Sequence, residues 1–108
     1  MITVEIRKSN GEYSGFSSKG HAGYAESGYD IVCAAVSVLT VNTINSIEKF
    51  TDDAFKVEAK DGLVRWKFTE FPLSEQAKLL MDSLVLGLEN IQETYGKKYI
   101  KIIEKSLT

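Results

Sequence analysis

The sequence contains one cysteine, one histidine and one proline among its 108 residues. A single cysteine cannot form a disulfide within the chain, so the fold does not depend on an oxidising compartment. The one histidine, the one cysteine and the scattered carboxylates show no recognisable metal-ligand spacing. The glycine-rich phosphate loop of nucleotide-binding proteins is also missing. We therefore expect neither a metal site nor a cofactor.

The sequence also lacks a marked excess of charge and a long apolar run. Its formal net charge is -2 and its pI about 5.4, which gives no electrostatic reason to expect direct nucleic-acid or membrane binding. The longest apolar-rich stretch, Ile31 to Val41, is too short to span a bilayer. The sequence shows no basic segment followed by an apolar run, so we expect no signal peptide. We expect a cytoplasmic protein with a single domain over residues 1–108.

Alternation of apolar and polar residues predicts five strands, two pairs of which form hairpins. Asn10-Gly11 predicts a tight turn in the first hairpin, because both residues tolerate positive φ. Asp61-Gly62 predicts the turn of the second hairpin. The second strand is rich in serine and glycine and gives the weakest pattern. The predicted strands are residues 2–8, 13–20, 55–60, 63–69 and 99–104.

Two longer segments predict helices. Residues 31–50 are apolar nearly all round for three turns, which is typical of a buried helix, and Asp30 is the predicted N-cap. The second helix runs from Ser74, as cap, to Tyr95, and Gly96 ends it. Its predicted apolar stripe is Ala77, Leu80, Leu84, Leu88, Ile91 and Tyr95. The order ββαββαβ predicts an α+β two-layer sandwich, with two helices on a mixed or antiparallel sheet of about five strands.

The segment from Gly20 to Asp30 joins a strand end to a helix start and contains the single histidine and three of the eight glycines. Functional residues concentrate on such connections. If Asp30 caps the helix, Cys33 is its third residue, where free N–H groups and the helix dipole favour a thiolate. His21 could then take the thiol proton. Ser37 shares a helix face with Cys33 and Asp30.

Each of these residues also has an ordinary structural interpretation. A lone cysteine in an apolar helix is usually a small buried hydrophobic residue, and a lone histidine usually makes a local hydrogen bond. Asp30 can be a cap and nothing more, and Ser37 can bond back to a helix carbonyl. The residue pattern alone leaves both interpretations open.

The segment Gly20-His21-Ala22, followed after Tyr29 by Asp30-Ile31-Val32-Cys33-Ala34-Ala35-Val36-Ser37, resembles the signature of the Prp family. These are bacterial ribosomal-processing cysteine proteases. The resemblance implies a cysteine endopeptidase that removes the short N-terminal extension of a large-subunit ribosomal protein, cutting after an aromatic-rich sequence. It also implies a homodimer, with the ribosomal protein precursor as substrate.

The resemblance further implies a role for individual residues. His21 and Cys33 match the catalytic dyad, and Gly20, Asp30 and Ser37 match positions that support it. The segment from Ala22 to Val32 matches a flexible loop that orders on substrate, with Gly23 and Gly28 as hinges. Tyr24 and Tyr29 could wall an apolar pocket for an aromatic residue, or be ordinary surface tyrosines.

Two other functions are compatible with parts of the sequence. A non-enzymatic ribosome-associated assembly factor is suggested by Tyr95–Lys101, which is basic with interleaved tyrosines, as RNA-contacting surfaces often are. The ordinary interpretation of that segment is a strand with a solvated lysine face. A thiol redox protein is disfavoured because no resolving cysteine is present.

Overall fold

The computed structural model describes the backbone of residues 1–20 and 27–107 and the side chains of residues 1–20 and 31–107. In these residues five strands and two helices follow one another in the predicted order ββαββαβ. The strands are β1 (Ile2–Ser9), β2 (Glu12–Lys19), β3 (Phe55–Lys60), β4 (Leu63–Phe68) and β5 (Ile100–Leu107). The helices are α1 (Ser27–Phe50) and α2 (Glu75–Tyr95).

The five strands form one mixed sheet in the order β3-β4-β2-β1-β5. Strands β1 and β5 are parallel, and the other neighbours are antiparallel. The weakly predicted β2 lies at the centre of this sheet. Tyr13 and Phe16 are buried, and the Phe16 ring stacks on Trp66 with 4.5 Å between centroids. Two buried aromatic side chains thus anchor β2, although its other residues are mostly small.

Local turn chemistry explains the β1–β2 hairpin. Asn10 has φ 54° and Gly11 has φ 77°, and such paired positive values match the right-handed twist of the strands. Between Arg7 and Lys8 the register shifts, so that Ser14 lies outside the pairing as a β-bulge. The predicted Asn-Gly turn is confirmed.

Both helices cover one face of the sheet, and a single cluster of buried apolar residues lies between the layers. The Ser74 Oγ accepts a hydrogen bond from the Ala77 N–H at 3.0 Å, which confirms the predicted cap of α2. Gly96, with φ 110°, ends this helix. Five of the six residues of the predicted apolar stripe face the core: Ala77, Leu84 and Leu88 are buried, and Leu80 and Ile91 pack against it partly buried. Met81 is buried as well, and the stripe is wrong at its last residue. Tyr95 is exposed.

Two predicted boundaries are wrong. Helix α1 begins at Ser27, four residues before Ile31, so helix replaces part of the predicted loop. Residues 95–101 are not one basic strand, because they include the end of α2, a turn at 97–99 and the start of β5. In that turn the Lys98 ammonium lies 4.9 Å from the Tyr99 ring centroid.

Candidate active site

Gly20 determines where the chain leaves the sheet after β2. Its φ is 148°, and its N–H donates to the Gly62 carbonyl at 2.9 Å. A Cβ atom at this position would lie 2.9 Å from both the Ile2 Cα and the Met1 carbonyl oxygen. Because the obstructing atoms are backbone, only glycine fits immediately before His21.

The starts of β1 and β5 lie at the same end of the sheet as Gly20. Strand β2 ends here, while β1, β4 and β5 begin here, with Lys19 paired to Thr3 and to Leu63. The Ile2 N–H donates to the Tyr99 carbonyl at 2.9 Å. In the sequence, helix α1 follows the end of β2, and helix α2 precedes the start of β5. Strand pairing therefore fixes the position of Gly20.

Cys33 lies near the start of α1 and is half-buried, with its side chain packed against the core. Thr40 and Ile44, which follow it by seven and eleven residues, share its helix face and are both buried. Val32, one residue nearer the start of α1, is fully buried, so Cys33 lies at the margin of the buried helix face. The residue as a whole is therefore not fully buried, as an ordinary core cysteine would be.

The predicted capping role of Asp30 is wrong. Since α1 begins at Ser27, Asp30 is already the fourth helical residue and Cys33 the seventh. The favourable field of a helix N-terminus falls off within the first turn. We therefore expect the helix start to stabilise a Cys33 thiolate less than the sequence predicted, which leaves more of that stabilisation to a neighbouring base.

The structure describes the other signature residues to different extents. Ser37 lies one turn after Cys33 and is exposed. Gly28, Tyr29 and Asp30 belong to the first turn of α1 by their backbone, although their side chains lie outside the described residues. His21, Gly23 and Tyr24 also lie outside the described residues, so the contact between His21 and Cys33 stays a prediction.

Metal chemistry has no candidate site in residues 1–20 and 31–107. No three metal-ligating side chains of this part of the chain converge on one point.

Comparison with known proteins identifies the family. A family model described as cysteine protease Prp matches residues 1–101. The chain belongs to this family. The ribosomal processing cysteine protease Prp of Bacillus subtilis is 30% identical over 103 residues, which cover 88% of this chain and 90% of that protein. Its Staphylococcus aureus counterpart is 27% identical over 99 residues, which cover 90% and 93%.

Solved Prp structures share the fold. The crystal structure of the essential S. aureus Prp with a substrate peptide has a TM-score of 0.88 and 27% identity. Its complex with a covalently linked product peptide has a TM-score of 0.85 and 28% identity. Each covers 97% of this chain and 100% of the other. The predicted ββαββαβ sandwich is thus the Prp fold, and the enzyme class is cysteine protease.

Proposed function

We propose that this protein removes the short N-terminal extension of a large-subunit ribosomal protein, cutting after an aromatic-rich sequence. Its Prp relatives are named for ribosomal processing, and one was crystallised with a substrate peptide. A cysteine protease needs a cysteine nucleophile, and Cys33 is the one cysteine of this sequence. Its half-buried position near the start of α1 is the observation that carries the proposal.

The proposed reaction uses Cys33 and His21 in two steps. His21, the one histidine of the sequence, takes the thiol proton while Sγ attacks the scissile carbonyl carbon. The peptide C–N bond breaks as His21 returns the proton to the leaving amine. Water then attacks the thioester, with His21 as base, and releases the carboxylate product and the Cys33 thiol.

The remaining signature residues hold this dyad and the substrate. Gly20 positions His21 because its backbone is pinned against β1, and Ser37 and Asp30 support the site from neighbouring positions of α1. We assign substrate contacts to Gly23, Tyr24, Gly28 and Tyr29. Tyrosine rings suit an aromatic-rich substrate because they offer a large apolar surface with a polar edge.

A homodimer is part of the proposal, formed through the outer surface of the two helices. Helix α1 carries no charged residue from Ile31 to Ile47, and Val38 is 70% exposed. On α2, Leu86 is 60% exposed. An apolar hollow of about 560 Å³ lies between the helices beside Gly87. Continuous apolar surface of this kind is typical of an interface.

The composition of α1 also bears on membranes. Ile31–Phe50 is long and apolar enough to cross a bilayer, and only 33% of its most apolar window is buried. The expectation of too short an apolar stretch, which was drawn from Ile31 to Val41, is therefore wrong. Core helices of soluble proteins pass the same test. We propose that a second copy of the chain covers this surface, that the protein is cytoplasmic, and that cleavage requires neither membrane nor nucleic acid.

Peptide cleavage tests the proposed reaction. A synthetic peptide with an aromatic-rich segment, incubated with the protein and analysed by mass spectrometry, should give two products. Cys33→Ala and His21→Ala should each abolish cleavage without loss of folding. Cleavage by Cys33→Ala at the wild-type rate would refute the mechanism. A folded wild type that cleaves no such peptide would favour the assembly-factor alternative.

Sedimentation tests the dimer. Val38→Glu and Leu86→Glu place charges on the apolar helix surface and should convert the dimer into a monomer. Thr69→Glu, an exposed position after β4, is the matched control and should leave the dimer intact. A wild-type monomer at all concentrations, or partition into vesicles instead of dimerisation, would contradict the proposed interface.

A further inference from the structure

The sheet face opposite the helices is open to solvent and strongly basic. Strand pairing places eight of the 13 lysine and arginine residues on this face. They are Arg7, Lys19, Lys56, Lys60, Arg65, Lys67, Lys101 and Lys105. The same face carries only three of the 15 acidic residues, namely Glu5, Glu58 and, at one end, Glu12. We call this surface the open face.

Much of the negative charge on the open face is already paired. Two carboxylates each bridge two cations, in the sets Arg7–Glu5–Lys105 and Arg65–Glu58–Lys60. Glu12 accepts a hydrogen bond from the Leu73 N–H. Four exposed lysines of the open face form no ion pair with any described residue: Lys19, Lys56, Lys67 and Lys101. Their charges remain available to a partner.

A basic row crosses the open face, and a depression lies along part of it. Strand pairing aligns Lys56, Lys67, Gly15, Arg7 and Lys105 across all five strands. At a strand spacing of about 4.8 Å the row is roughly 19 Å long. The Arg7 side chain lies over Gly15, because a Cβ atom there would stand 3.1 Å from the Arg7 Nε. The depression, of about 350 Å³, is lined by Arg7, Lys56, Arg65 and Lys67 among others.

We propose that the open face binds the phosphate backbone of structured RNA. A row of separated cations suits a polyanion whose charges recur every few ångströms, as the phosphates of nucleic acids do. The strands present no aromatic side chain on this face, which disfavours stacking of single-stranded bases. Recognition would therefore follow shape and phosphates rather than sequence, as is usual for double-stranded RNA.

The surface suits RNA better than a membrane. Its strongly exposed apolar side chains, Leu107 and the adjoining Phe71, are confined to one end, whereas interfacial membrane binding needs a whole apolar face that enters the bilayer. Lys19 directly precedes Gly20, so bound RNA would lie beside the active site. The net charge of -2 gave no electrostatic reason to expect nucleic-acid binding. A sum over the whole chain does not show that the positive charges are concentrated on one face.

The proposal is tested by removing lysine charges from one face at a time. The triple variant Lys56→Gln, Lys67→Gln, Lys101→Gln alters the open face. Its matched control, Lys49→Gln, Lys78→Gln, Lys97→Gln, removes the same charge from other surfaces. Fluorescence anisotropy with a labelled RNA hairpin of about 20 base pairs, at about 50 to 300 mM KCl, measures the affinity and its salt dependence.

Wild type should bind the hairpin, with affinity falling steeply as salt rises. The open-face variant should bind at least about tenfold more weakly, and its salt slope should fall by about one for each phosphate that the protein no longer neutralises. The control should bind within about twofold of wild type. Both variants should keep the wild-type melting temperature and peptide cleavage. If the triple variant does not fold, the double variant Lys56→Gln, Lys67→Gln replaces it.

Several results would overturn the proposal. These are no binding by wild type at about 50 mM KCl, an equal weakening in the control variant, or tighter binding to vesicles of anionic phospholipid or to polyglutamate than to the hairpin. Loss of peptide cleavage by the open-face variant, in the absence of RNA, would assign the surface to the peptide substrate instead. Failure of the protease proposal would leave the RNA measurement unaffected, because the hairpin assay uses no peptide.

Discussion

Gly20 lies so close to Ile2 that a Cβ atom on Gly20 would stand 2.9 Å from the Ile2 Cα. A van der Waals contact between carbon atoms needs about 3.5 to 4.0 Å. Gly20→Ala must therefore displace the end of β2, the start of β1 or both. The displaced segment adjoins His21 in the sequence, so the substitution should lower stability and also shift the position of His21.

We expect Gly20→Ala to lower the free energy of unfolding by about 1 to 3 kcal/mol and to reduce peptide cleavage at least about tenfold. Urea denaturation and a peptide assay measure the two effects. Gly11→Ala is the control, since Gly11 also has positive φ but open space around it; it should cost stability and leave cleavage intact. Equal cleavage by both variants would show that Gly20 does not position the site.

The reactivity of Cys33 should depend mainly on His21. Cys33 is the seventh residue of α1, beyond the first turn where the helix dipole acts strongly. Near pH 6 to 7, wild type should react with iodoacetamide faster than an unactivated thiol, which has a pKa of about 8.5. His21→Ala should lose most of this advantage. Mass spectrometry of the alkylated protein measures the rates. An unchanged rate in His21→Ala would show that the start of helix α1, and not His21, activates the Cys33 thiol.

Thr40 is a site where stability can be raised. Its side chain is 1% exposed, and Oγ1 has no hydrogen-bond partner among the described residues. Thr40→Val should raise the free energy of unfolding by about 1 kcal/mol, because it removes an unsatisfied buried hydroxyl. Thr43→Val is the control, since the Thr43 Oγ1 donates to the Leu39 carbonyl at 2.8 Å. Stabilisation by Thr43→Val and not by Thr40→Val would reverse this interpretation.

Asp53 should contribute to stability at neutral pH and lose that contribution in acid. Burial acts to raise the pKa of Asp53, but hydrogen bonds from the Ser74 side chain and N–H outweigh it and lower the pKa below its usual value. A lowered pKa in the folded state stabilises the protein above the unfolded pKa. That stability disappears as the pH falls through the folded pKa.

Asp53→Asn should therefore destabilise the protein by about 1 kcal/mol near pH 7, with the difference narrowing below about pH 4. Urea denaturation at a series of pH values measures this. Asp52→Asn, at an exposed position, provides the comparison and should show little difference at any pH. A constant difference between Asp53→Asn and wild type at all pH values would refute the electrostatic origin.

The hairpin turns were predictable because their chemistry is local. Asn10 and Gly11 adopt positive φ through their own side-chain properties. The central place of β2 was not predictable in this way, since it depends on the burial of Phe16 against Trp66 from a distant strand. The start of α1 was misplaced because Gly28 and Tyr29 resemble loop residues and follow no apolar period.

The site residues were predictable from a signature, but their setting was not. Cys33 and Gly20 were both selected from the sequence, yet the contact of Gly20 with Ile2 requires the pairing of β1 and β2. The open face was hidden for a related reason. Alternation within β3 and within β4 predicts the face that carries Lys56 and Lys67, respectively. Only the strand order shows that these residues lie on the same face as Arg7.

The parallel pairing of β1 with β5 has a consequence for the order of folding. Of the five strands, β1 leaves the ribosome tunnel first and β5 leaves it last, and the two are neighbours in the sheet. Until β5 emerges, β1 is an unpaired sheet edge, and such edges invite association with other chains. A contact between the most distant segments also closes late and slowly. We therefore expect the strand ends beside Gly20, which include the Ile2–Tyr99 hydrogen bond, to be completed only after β5 has been synthesised.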